Sequence, residues 1–180
     1  MSLLAKLLGR PKPRRPDPRE MVSLVVLFSS YEELNCDIVR ERLDGAFPGW
    51  FIPPRERGTF VVDGVPPGMQ FFVNSAIPGA GGTFLLFNVP GPYTDVSGFA
   101  ELIDDKATRA SAVAQRSWLS VDKIGGASDE EAYKFIGAAL AVLAPEDAAF
   151  LVHADTFRTM RFDAAVRRQL ATSGNPFGPK

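Results

Sequence analysis

The hydrophobic positions of this chain fall into two similar runs. Val22 to Ser29 is a block of apolar and β-branched residues with the length of a buried central strand. Ser30 follows it, with Glu33 three residues later, which predicts a capping box. Leu34, Ile38, Val39, Leu43 and Phe47 then recur at helical steps and lay an apolar stripe on one face, until Pro48-Gly49 ends the helix. The second run starts at Trp118. A strand is predicted to Ile124, a capping box at Ser128 to Glu131, a helix over 132–144 that is apolar around its circumference, and a returning strand over 148–154.

Between these runs, Thr59 to Asp63, Gln70 to Ile77 and Thr83 to Val89 read as strands joined by Gly/Pro-rich hairpins. Residues 95–103 and 106–115 read as short helices, and 162–171 as a last amphipathic one closed by Ser173-Gly174-Asn175-Pro176. The shared order of strand, cap, helix and strand predicts an α+β fold of two split β-α-β, ferredoxin-like halves. Its sheet is expected to be mainly antiparallel, with helices packed chiefly on one face. The stretch from Trp118 to Pro176, with its acidic-capped helix ending in Gly-Asn-Pro-Phe, resembles an uncharacterised bacterial family, the domain of unknown function 4261. That resemblance covers about a third of the chain and implies a fold, with no activity and no functional residues attached.

The 180 residues suit one domain, residues 20–180, behind a detachable arm, residues 1–19. In the arm, Gly9 to Pro18 carries four prolines in ten residues, a composition that forbids helix and favours an extended spacer. Residues 1–20 hold six cations against two acids, a net +4, while the remainder carries −5. A mildly acidic body disfavours nucleic acid, whose affinity comes from neutralised phosphates. Leu3, Leu4, Leu7 and Leu8 beside Lys6 suggest a short amphipathic anchor for an anionic membrane or a partner's groove. The apolar stretch 135–144 is half the length a bilayer needs. The apolar patch at 3–8 comes before its charges, the reverse of a secretory signal, and one cysteine, Cys36, permits no internal disulfide, so a cytoplasmic protein is expected, with membrane contact at the inner face through the arm.

Chemistry is scarce. His153 is the single histidine. Read as a general base oriented by Asp155, it would need Ser120, Ser117 or Cys36 as nucleophile; read blandly, it is a strand-end histidine bonded to a neighbouring carboxylate. One His and one Cys cannot furnish a zinc site, and the acidic runs lack calcium-loop spacing, so no metal is expected. The glycine clusters at 79–82 and 125–126 lack a phosphate-binding context, so no cofactor is expected either. Trp50 and Phe51, in a predicted loop beside Arg55 and Arg57, suit a partner-contact surface. These features together predict a non-enzymatic binding or adaptor module with a protein partner. A small hydrolase or transferase using His153 and Asp155, and a membrane-associated accessory protein, are the alternatives.

Overall fold

The computed structural model describes residues 22–49, 51–62, 65–75, 81–93, 103, 106–126 and 128–178. The arm, with Leu3, Leu4, Leu7 and Leu8, lies outside them, as do Trp50 and all but the last residue of the helix expected over 95–103. Among the described residues seven strands are present: β1 (Ser23–Phe28), β2 (Phe51–Val62), β3 (Val65–Ser75), β4 (Gly82–Pro90), β5 (Ser117–Gly125), β6 (Ala148–His153) and β7 (Thr159–Arg161). Four helices accompany them among the described residues: α1 (Cys36–Ala46), α2 (Lys106–Val113), α3 (Asp129–Leu143) and α4 (Ala164–Ser173).

The strands form one sheet in the order β2-β3-β4-β5-β1-β6-β7, and every neighbouring pair is antiparallel. The fold is α+β. β1 lies between β5 and β6, and all six of its residues are buried, which is why its sequence is a continuous apolar block rather than an alternating one. Leu24, Val26 and Phe28 enter one core with Leu119, Val121, Phe84 and the apolar sides of α1, α3 and α4. Val25 and Leu27 enter a smaller one on the opposite face, with Val89, Trp118, Phe150, Val152, Ile103 and Ala112 of α2. Three helices thus share one face, while α2 and Ile103 cover part of the other.

Several expectations are corrected in detail. α1 begins at Cys36, not after Ser30, and its cap is Asn35, whose side chain accepts from the Ile38 N–H at 2.9 Å. The Ser30 N–H and hydroxyl are claimed instead by Asp147, at 2.9 and 2.7 Å, with the Ser29 hydroxyl joining at 2.8 Å. That carboxylate is buried in part, which alone would raise its pKa; the donated hydrogen bonds prevail and lower it. Phe51 to Pro54 and Arg55 belong to β2 rather than to a loop. The pairing slips between Ile52 and Arg55, where the two prolines cannot donate to a ladder. The Ser128 capping box is present as read, with the Ser128 and Glu131 side chains serving each other's backbone N–H.

α3 and α4 touch backbone to backbone. A Cβ on Gly137 would lie 2.5 Å from both Cα and O of Gly174 and 2.7 Å from the Leu170 carbonyl oxygen. Gly174 closes α4 at φ +81°. Arg167 of α4 ties off α3, donating to the carbonyls of Ala141 and Ala144 at 2.9 Å and of Pro145 at 2.8 Å. Its guanidinium sits 4.9 Å over the Phe162 ring. No helix among the described residues is long and apolar enough to cross a membrane.

Candidate functional site

His153 ends β6, opposite Leu24 of β1 in the sheet register. It therefore faces the larger core, beneath α3, and is 2% exposed. Tyr133, on the first half of α3, brings its hydroxyl within 2.8 Å of the imidazole Nε2. The buried side of α3 must find a partner for such a hydroxyl, and the buried ring nitrogen meets the same need. Phe177, in the turn that follows α4, closes over the pair, its ring edge-on to His153 at 5.6 Å. Arg158 holds that turn by donating to the Phe177 carbonyl at 2.9 Å.

The strand stops at His153, and residues 154–156 turn away. The alternation that would set Asp155 beside the imidazole therefore does not continue. Asp155 also lies close enough to act on Tyr133. Burial, and then the charges of Asp155 and Asp129, push that phenol up to about 12, so it stays a neutral hydroxyl. The candidate nucleophiles are not gathered around His153. Ser120 pairs with Val25 and so belongs to the opposite sheet face. Ser117 pairs with Phe28, four residues along β1 from the Leu24 level. Cys36 opens α1 and is partly exposed.

Immediately beyond His153 the backbone makes a tight excursion. The Phe157 N–H donates to the His153 carbonyl, and the His153 N–H takes the Arg158 carbonyl, each at 2.8 Å. Phe157 sits at φ +53° and is 52% exposed. A bulky side chain in the left-handed region is strained, and here the ring also stands in water.

A second polar group lies on the smaller core's side of the sheet. Asp122 of β5 is opposite Ser23 on β1 and Leu85 on β4. The Ser23 hydroxyl donates to its carboxylate at 2.5 Å. Burial pushes the acid up to about 6, against the hydroxyls of Ser23 and Ser120, which pull it down. Tyr93 is pushed up to about 12 by burial and then by the charge of Asp122. Two residues along β5, Ser120 faces Phe87; two further, Trp118 faces Val89. The Tyr93 ring meets Trp118 edge-on at 5.3 Å, and Phe87 lies 6.2 Å from it.

Of the residues expected to contact a partner, Phe51, Arg55 and Arg57 lie along β2; Trp50 falls outside the described residues. Tyr133, Phe157 and Asp122 carry no sequence motif, although a tyrosine at the start of the apolar stretch of α3 signals a buried polar partner. No group of three His, Cys, Asp or Glu residues among the described ones is placed to hold a metal ion. Compared with family models, curated proteins and solved structures, the chain matches none.

Proposed function

We propose that this protein is a non-catalytic, protein-binding module of the cytoplasm, anchored on its partner by the turn between β6 and β7. The observation that carries this reading is Phe157, which has an unfavourable backbone conformation and an exposed ring at the same position. Such a conformation costs on the order of 1–3 kcal/mol, and Gly or Asn would relieve most of it. A rigid, exposed aromatic flanked by the exposed Arg158 and Arg161 has the composition of an interface anchor. Catalysis by His153 and Asp155 is disfavoured by the same neighbourhood, since the imidazole is closed in the core and its partner hydroxyl is a weak acid.

A ferredoxin-like reading of the fold accords with the strand order. With α1 and α3 as the crossovers, β1, β4, β5 and β6 run β6-β1-β5-β4, the arrangement of interleaved β-α-β units. The β2–β3 hairpin and β7 then extend the two flanks. We read the likeness of residues 118–176 to the domain of unknown function 4261 family as one of fold. A contact between the basic arm and an anionic membrane is a further part of the proposal, resting on the charge of residues 1–19 alone.

The test is Phe157→Asn. Tagged wild type and variant are each purified from the native host, and their melting temperatures are measured. The reading expects the variant to melt higher and to lose a co-purifying protein that the wild type retains. Identical co-purifying proteins, or none with either form, would overturn it.

A further inference from the structure

Asp122 is a carboxylate set into the sheet without a cation. Among the described residues no lysine or arginine pairs with it; the adjacent Lys123 extends to Asp129 at 2.9 Å. Its contacts are the hydroxyls of Ser23 and Ser120. Such hydroxyls can support a charge but cannot neutralise it. The carboxylate is deeply buried, but the face around it is not fully covered, because Leu85, Phe87 and Tyr93 retain partial solvent access.

Aromatic rings occupy the same face. Trp118, Ser120 and Asp122 alternate along β5 and so project to one side, and Phe87 faces Ser120 from β4. Tyr93 joins the two ends of this strip, with its ring against Trp118 and its hydroxyl within the field of Asp122. Trp118 is 9% exposed, and its indole N–H is buried with no hydrogen-bond partner. A buried indole donor is ordinarily satisfied. Here the described residues supply it no acceptor.

We infer that this strip binds a small organic ammonium ion, with Asp122 as its counter-ion and the rings of Tyr93, Phe87 and Trp118 as its walls. Aromatic faces attract a diffuse, weakly hydrated cation, and the attraction grows when water is excluded. A hard metal ion would instead ask for six or more oxygen ligands, and the strip offers one carboxylate and three hydroxyls. The Trp118 indole N–H is buried beside the strip and serves as a reporter of occupancy rather than as a ligand contact. The site is independent of the Phe157 turn.

The experiment follows the indole N–H resonances of isotope-labelled full-length protein during titration with choline. Trp118→Phe identifies the Trp118 signal, and the neutral isostere 3,3-dimethylbutanol serves as the control. The expected result is a saturable shift of the Trp118 signal with choline, half-complete at millimolar concentration, and no such shift with the neutral alcohol. Asp122→Asn should weaken the response at least tenfold. Tyr93→Leu, which leaves the acid in place, should weaken it severalfold and guards against a folding defect in the first variant. Lowering the pH from 7.5 to 5 should weaken binding roughly tenfold in wild type, because the acid must ionise to hold a cation. Tyr93 is the one other titratable group facing Asp122 among the described residues, and it stays neutral throughout this range. No saturation by roughly 50 mM choline, which is weaker than any specific site, would overturn the inference. So would an equal response to the neutral alcohol, or unchanged binding in Asp122→Asn.

Discussion

Replacing Gly137 by alanine sets two known effects against each other. Inside a helix, alanine is favoured over glycine by about 1 kcal/mol, so local propensity alone predicts a more stable protein. The added methyl, however, would lie 2.5 Å from the Cα and O of Gly174 and 2.7 Å from the Leu170 carbonyl oxygen. Ordinary contacts begin near 3.4 Å, so α4 must retreat by close to an ångström. All three atoms are backbone and cannot rotate aside. Overpacking of this kind costs about 1–3 kcal/mol, and a rigid obstacle places it at the upper end. The net effect is a loss of about 2 kcal/mol, or roughly 4–8 °C in melting temperature for a chain of this length. Gly45→Ala is the internal control. It is also helical, yet a Cβ there meets nothing within 4 Å, so it should stabilise by about 0.5–1 kcal/mol. Thermal melts followed by circular dichroism, with urea titrations to verify an unchanged m value, measure both. A Gly137→Ala protein that melts above wild type would refute the backbone contact between α3 and α4.

The remaining expectations concern charge. Arg167→Met keeps the aliphatic stem over Phe162 but removes three hydrogen bonds to the end of α3. It should cost about 2–3 kcal/mol in urea denaturation, with Lys restoring less than half because one ammonium cannot reproduce the fork. Asp122 has its proton affinity raised on folding, from 3.8 to about 6. It therefore binds protons more tightly folded than unfolded, and its cost is absent below pH 4 and complete above pH 6. Asp122→Asn should accordingly gain up to about 3 kcal/mol at pH 8 and nothing at pH 3.5, the raised acid affinity converted at 1.36 kcal/mol per pH unit. A stability advantage that does not change with pH, read from urea titrations at both values, would contradict this account of the acid.

The features read correctly from sequence are those decided by neighbours along the chain. The apolar block of β1, the Ser128 capping box and the presence of α3 behind it all follow from local spacing, and the structure reproduces them. The misread features are decided by residues far away. Ser30 looked like a helix cap, but Asp147, which lies 117 positions on, captures it, and the capping role passes to Asn35. Pro53 and Pro54 suggested a loop because a ladder position rejects proline. An edge strand whose register slips there accepts both. β7 is three residues long and too short to leave a periodic trace. The candidate sites follow the same division. His153 was visible as a lone imidazole, yet its partner Tyr133 lies 20 residues earlier on a different element. The strain at Phe157 is a backbone angle that no residue pattern encodes. Asp122 drew no notice because its burial depends on strands and rings contributed from four separate parts of the chain.

The two ends of the sheet limit how this molecule can assemble. On one flank the outermost strand carries adjacent prolines, and on the other it is a stub of three residues. Neither offers the long, uninterrupted row of main-chain donors that a foreign strand needs for templated growth. Fibrillar stacking and dimerisation by strand exchange are both discouraged, even though the interior strands are among the most apolar segments of the chain. Recognition is left to side chains, and so to surfaces that single substitutions can switch off without unravelling the sheet.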